Sequence, residues 1–565
     1  MRYLPFKGLR HVALACALLC GTAPAFAGDV SLQGLGSASA HQRFIVSYKD
    51  SSAGNGGRLS GSLREIARAV PARRGRALGL SSSRWLGVGP QLLVADRALD
   101  RVDAETLMRR LAADPAVKRV EVDMLLRPML VPNDSRLSEQ WALGTTSAGI
   151  NVRPAWDKAT GKGAVVAVID TGVTAHPELS ANVLAGYDFI SDAFIARDGN
   201  ARDTDATDLG DWAAANECGS GASASSSSWH GTHVAGIVAA AANNGAGTAG
   251  VAFNAKVLPV RVLGRCGGYL SDIADAIVWA SGGTVSGVPA NPTPARVINL
   301  SLGGIGSCST TLSNAIASAV SRGTNVVVAA GNSNIDVSQS VPANCPNVIA
   351  VAATTSAGAK ASFSNFGQGV DIAAPGQAIL STLNSGSTAA GSPSYAVYSG
   401  TSMAAPHVAG VVALMQSVAL NPLSAASVEA MLKSTARALP VACPQGCGAG
   451  LVNADGAVAA VIASTTLTSN AARNGLAAAT GGSLYYQVNV PAGTRSLRVA
   501  LSGGSGNADL SLRAGALPSD TAYNCRTAVV GNTDSCTLSA PAPGVYYVRL
   551  KAALAFSAVT LVATY

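Results

Sequence analysis

Gly400-Thr401-Ser402-Met403-Ala404-Ala405-Pro406-His407-Val408-Ala409 is the stretch on which the reading of this 565-residue chain turns. Small residues deliver Ser402 to the start of an apolar helix, predicted over 402–419. A serine there is exposed, and a helix N-terminus favours nearby negative charge. A nucleophile that passes through an oxyanion needs both. Two earlier segments supply what a lone serine lacks. Ala164-Val165-Val166-Ala167-Val168-Ile169-Asp170-Thr171-Gly172 reads as a buried parallel strand and a turn. It ends in Asp170, a carboxylate placed to orient and stabilise an imidazolium. His230-Gly231-Thr232-His233-Val234-Ala235-Gly236 opens an Ala-rich helix and offers His230 as a base.

The order Asp170, His230, Ser402 is that of subtilisin and not of chymotrypsin or the α/β-hydrolases. From about Trp141 to Ala457 the residues around these positions resemble the subtilisin family of serine proteases. The resemblance implies a catalytic triad. It also implies that Asn332, after the apolar strand Val326 to Ala330, donates its amide to the oxyanion beside the Ser402 N–H. Ser301, Leu302 and Gly303 match an extended edge that pairs with substrate backbone by strand addition. The other histidines read as structural. His233 lies three residues after His230, but the Glu of the zinc-protease pattern is missing. His407 falls inside the helix after Ser402, and His176 precedes Pro177 in a loop.

Only 13% of residues are charged and 61 are glycine, a composition suited to a compact enzyme packed from small residues and not to disorder. The net charge of +8 is concentrated before Leu130: residues 1–27 carry +3 and residues 28–129 carry +6. From Leu130 onward the balance is −1, so charge gives no reason to expect a nucleic-acid partner. Arg2, Lys7 and Arg10, the apolar run Val12 to Cys20, and Ala25-Phe26-Ala27 describe a secretory signal peptide over residues 1–27. No later apolar run reaches the ~18 residues of a membrane span, so no stable membrane anchor is expected.

Residues 28–129 read as a strand (43–48), a helix (104–112, with Asp103 as cap) and a strand (117–122), with a flexible Gly/Ser/Arg-rich stretch at 51–83 and a short helix near 63–70. Before a subtilisin-like unit this α+β pattern resembles an inhibitory propeptide. Residues 130–464 alternate apolar strands with Ala-rich helices, which predicts an α/β parallel sheet covered by helices on both faces. Residues 465–565 show short strands separated by Gly, Pro and Asn and predict a small β-sandwich. This part resembles the prepeptidase C-terminal domain of secreted bacterial proteases, through Asn507-Ala508-Asp509-Leu510, Cys525, Gly531-Asn532, Cys536 and Pro543-Gly544-Val545-Tyr546-Tyr547-Val548.

Ten cysteines are present, two of them, Cys16 and Cys20, in the leader. An even remainder in an exported protein predicts disulfides. Spacing and placement on a subtilisin-like sheet favour Cys218–Cys266, Cys308–Cys345, Cys443–Cys447 and Cys525–Cys536. Asp198, Asp203, Asp205, Asp208 and Asp211 crowd one short loop and are the expected ligands of a structural Ca²⁺. The resulting expectation is a secreted, monomeric serine endopeptidase acting on proteins and peptides, made as a zymogen that its own propeptide inhibits. Uncharged loops at Gly304–Thr311 and Val341–Cys345 point to a broad, apolar preference. If the propeptide ends at Met129, Met129 and Leu126 fill the first and fourth pockets. Two other readings stay open. One is an inactive scaffold serving as an adhesin, and intact chemistry at all four positions argues against it. The other is an enzyme whose C-terminal domain docks it to a matrix or cell surface.

Overall fold

The computed structural model describes residues 28–36, 40–49, 59, 61–73, 75–124, 131–491 and 493–565. The predicted leader and the segment holding Leu126 and Met129 lie outside the described residues. Seven parallel strands form the central sheet. Their order is Ile372–Pro375, Ile349–Thr354, Asn325–Ala329, Val297–Leu300, Val165–Asp170, Lys256–Arg261 and Tyr187–Asp188. Successive side chains point to opposite faces. Val166 and Val168 therefore join the core under the helices His230–Ala239 and Thr401–Val418. Ala167 and Ile169 join the core under Leu270–Ala280 and Thr310–Ser321. Each fully buried Val or Ile adds about 1.5–3 kcal/mol, which is why these strands are apolar on both faces.

Three elements were not expected. The edge strand Ile372–Pro375 is only four residues long. The helix Ala454–Thr465 closes the unit on its C-terminal side. The antiparallel hairpin Ile379–Asn384 with Pro393–Tyr398 lies against the His230 helix, where Ser381 and Thr382 donate to the carbonyls of His233 and Thr232, both at 2.8 Å. That approach explains Gly236: a Cβ there would stand 2.1 Å from the Thr382 hydroxyl.

Residues 28–124 fold around their own core, with a five-stranded sheet in the order Asp29–Ser31, Val117–Val122, His41–Tyr48, Gln91–Leu99, Leu80–Trp85. Of the stretch expected to be flexible, residues 80–83 belong to the strand Leu80–Trp85, and the strand Gln91–Leu99 beyond it was not expected. The helix runs Arg101–Ala112 and its cap is Asp100, not Asp103: the Asp100 carboxylate accepts the Asp103 N–H at 2.9 Å.

The C-terminal domain is all β and antiparallel. Its strands at 545–550 and 558–563, expected to be separate, are one strand, Gly544–Thr564. The first half of it pairs with Ser483–Val490 and Ser505–Ala514, the second with Ala472–Ala478 and Ser496–Ser502. Register shifts at Ser505–Ala508 and a left-handed Ala558 (φ 54°) let it pass from one half to the other and draw the sheet into a near-barrel. Asn421 fastens the domain to the catalytic unit, its amide both donating to and accepting from the Tyr485 backbone at 2.8 Å. The structure forms the disulfides Cys218–Cys266, Cys308–Cys345, Cys443–Cys447 and Cys525–Cys536. Among the described residues no helix is long and apolar enough to cross a membrane.

Candidate active site

Asp170 is the last residue of its strand and fully buried, and it brings both carboxylate oxygens to His230 Nδ1, at 2.8 and 3.0 Å. The His230 helix can come this close because residue 231 is glycine: a Cβ would sit 2.1 Å from the Gly172 carbonyl. Thr171 joins the two segments, accepting the Gly231 N–H at 2.9 Å and donating to the buried Asp208 at 2.6 Å. Burial pushes the Asp208 carboxyl up to about 6. Before the helix, Trp229 is buried with φ at 51°, and its indole donates to Gly386 at 2.6 Å. Asp211 accepts both the N–H and the hydroxyl of Ser228, at 2.6 and 2.7 Å. Burial lowers the His230 pKa, but the Asp170 charge and hydrogen bond outweigh it, with help from Asp211 and Asp208, and the net shift is upward.

Ser402 opens the long helix two residues after Gly400 and is half-buried. Its hydroxyl donates to the Ser301 carbonyl at 3.2 Å. The Asn332 oxygen accepts from the Thr401 N–H (2.8 Å) and hydroxyl (2.9 Å), which turns its amide nitrogen away from them. Thr401 is fixed in turn by the Gly331 N–H at 3.1 Å. Asp170, Ser301 and Asn332 all follow or end parallel strands, so the site lies at the carboxyl edge of the sheet, where open α/β folds bind ligands.

A cleft of about 700 Å³ runs past Ser402 and Asn332. The segment Ser301–Ile305 lines it, and so do Leu263, Cys266–Gly268, Leu270 and Ile273, which sequence reasoning missed. The Gly267-Gly268 pair after a cysteine was the available signal. Among the described residues no charged side chain lines the cleft. Gly304 and Ile305 pair with Val341 and Ser340, the Cys308–Cys345 bond ties those loops, and Cys218–Cys266 anchors the other lining segment.

His233, His407 and His176 serve the fold. His233 Nε2 bonds the Ala396 carbonyl (3.1 Å), its ring stacks on Tyr398, and burial lowers its pKa to about 3. His407 Nδ1 bonds the Met403 carbonyl at 2.7 Å, and His176 spans Ser394 and the Glu178 N–H.

The five aspartates of the acidic loop do not fit a shared cation. Asp198 pairs with the buried Arg261 at 3.1 Å, Asp203 and Asp205 accept from Asn200 and Thr207, and Asp208 and Asp211 are held as above. Among the described residues no three His, Cys, Asp or Glu side chains gather as metal ligands. A different pair has oxygens to spare. Asp134 and Glu178 are buried, burial with the Asp134 charge raises the Glu178 pKa, and Asp134 Oδ1 and Glu178 Oε2 have no hydrogen-bond partner. Two like charges left in that state favour protonation or a cation. Neither residue stood in an acidic run, so sequence density pointed elsewhere.

Comparison with known proteins agrees with this geometry. The subtilase family model matches residues 161–467, and that of the bacterial pre-peptidase C-terminal domain matches residues 482–552. An extracellular protease of Xanthomonas campestris is 65% identical over 96% of this chain and 95% of its own. The extracellular basic protease of Dichelobacter nodosus is 41% identical over 74% of this chain and 70% of its own. A solved protease from Pseudoalteromonas arctica is 54% identical, covers 59% of this chain and 100% of its own, and superposes with a TM-score of 0.58. With such a cleft at the edge of such a sheet, this chain belongs to the subtilase family and is a subtilisin-like serine protease.

Proposed function

We propose that this protease is a secreted endopeptidase in which Ser402 is the nucleophile, His230 the general base and Asp170 the residue that holds His230. The Asp170 grip on His230 Nδ1 carries the reading, because it leaves Nε2 as the proton acceptor. The Ser402 hydroxyl turns from the Ser301 carbonyl to His230 and attacks a peptide carbonyl. His230 then gives the proton to the leaving amine, and water hydrolyses the acyl-enzyme by the same route. The Asn332 amide and the Ser402 N–H stabilise the oxyanion. An extended substrate pairs with Ser301, Leu302 and Gly303. The uncharged lining supports faster cleavage after apolar residues than after Asp or Glu.

The domain at residues 28–129 acts as an inhibitory propeptide that the enzyme removes itself, and the leader directs export. A structural Ca²⁺, if bound, fits Asp134 and Glu178 better than the acidic loop, since Asp134 Oδ1 and Glu178 Oε2 are buried carboxylate oxygens without partners. It would neutralise two like charges.

Expression of Ser402→Ala with its leader tests the whole scheme. The expected product is folded, inactive and continuous from Gly28. Efficient self-cleavage of the purified variant near Met129 would contradict it, as would equal cleavage rates after acidic and apolar residues in a peptide library.

A further inference from the structure

We propose that the Ser301 side chain is a positioning residue for the nucleophile, in a role that Pro406 creates. The proposal rests on Ser402 being the nucleophile. In an unbroken helix the N–H of residue 406 would bond the Ser402 carbonyl. Proline has no N–H, and its ring crowds the carbonyl four residues back. Pro406 lies inside the helix Thr401–Val418, so the Ser402 carbonyl loses its helical donor. The Ser301 hydroxyl replaces it, donating to the Ser402 carbonyl at 2.8 Å.

The direction of this bond is forced. A carbonyl only accepts, and a serine hydroxyl has one proton. The Ser301 proton therefore goes to Ser402, and the remaining neighbour must donate to Ser301. That neighbour is Asn299 Nδ2, at 2.9 Å. Asn299 is fully buried in the strand Val297–Leu300, and its own oxygen has no partner. A polar side chain kept in the core with one atom unpaired bears a cost that packing does not explain. Its function is to present a donor to Ser301.

Ser301 thus holds Ser402 at two points, through its hydroxyl and through the carbonyl that accepts from the Ser402 Oγ. The first contact fixes the peptide after Ser402 and the second fixes the resting hydroxyl. Loss of the hydroxyl strands the Ser402 carbonyl and lets the nucleophile drift, while the Ser301 backbone remains for substrate. The effect belongs in kcat and not in KM.

A double-mutant cycle tests this, with kcat, KM and the rate of labelling by a fluorophosphonate probe as readouts. Ser301→Ala should lower kcat and labelling about tenfold or more, with KM within about twofold. Pro406→Ala restores an N–H for the Ser402 carbonyl. In that background Ser301→Ala should cost less than about threefold. Ser301→Thr keeps the hydroxyl and should recover most of kcat. The same factor in both backgrounds would overturn the proposal, and so would a rise in KM with kcat unchanged. If Ser301→Ala does not mature, Ser301→Cys, a weaker donor, gives the same cycle and the same criteria. A wild-type enzyme that takes no label would instead contradict the triad reading.

Discussion

The cleft and the C-terminal β-domain use their polar side chains in opposite ways. At the cleft, Asn332 commits its oxygen to Thr401 and keeps its amide exposed at the edge of the sheet. In the C-terminal domain, Asn507, Asn532 and Asp534 accept the N–H groups of Gly531, Ala508 and Val529 and hold their loop together. Both regions carry Asn and Gly. In both, side-chain oxygens accept N–H groups, but the first holds the residue before Ser402 and leaves an amide at the cleft, while the second closes a loop. The difference separates a surface built for chemistry from one built for shape.

The largest effect that could break this comparison is at Asn332. Asn332→Ala should lower kcat by on the order of 100–1000-fold with little change in KM, a scale set by the equivalent donor of subtilisin. The matching change in the C-terminal domain, Asn532→Ala, should leave kcat within about twofold and lower stability by about 1–2 kcal/mol. Equal losses of kcat at the two positions would erase the distinction.

Asp134 and Glu178 offer a second test, since each keeps a buried oxygen without a partner. With Ca²⁺ bound there, a chelator should lower Tm by several degrees, about 2–3 kcal/mol of linkage, and Glu178→Gln should destabilise. Without a cation the sign reverses: Glu178→Gln removes repulsion and raises Tm. Thermal scans with and without chelator read both outcomes. The Asn421 bridge is a smaller matter. Asn421→Ala should cost about 1 kcal/mol and leave kcat unchanged.

The smallest effect concerns pH. Protonated His230 cannot act as base, and Asp170, Asp211 and Asp208 together outweigh burial in raising its pKa above 6.5. Activity should therefore rise with pH through a midpoint above 6.5. Asp211→Asn removes one negative charge and keeps an acceptor for Ser228. The midpoint of kcat/KM should move down. An upward shift would show that Asp211 does not act on His230 through charge.

The central sheet was legible because strands buried on both faces must be apolar throughout: Val165–Asp170 and Asn325–Ala329 lie within a residue of their expected limits. The site positions were legible because they follow those strands. The hairpin Ile379–Tyr398 was not, since Ser381 and Thr382 make polar contacts with the His230 helix and Tyr395 with Glu178, which masks the alternation. The Gly544–Thr564 strand read as two because its alternation of buried and exposed residues lapses over 553–558, where the sheet turns. The acidic loop drew the calcium expectation through carboxylate density, which says nothing about which oxygens already have partners. Asp208 looks like a ligand in the chain, yet in the fold it is an anchor for Thr171.

The most direct measurement of the central claim is labelling of the matured enzyme with a fluorophosphonate, followed by peptide mapping and a pH series. One probe should be found per chain, on Ser402 alone, at a rate that rises through a midpoint above 6.5 and vanishes in His230→Ala. Label on another serine, or full labelling of His230→Ala, would contradict the account.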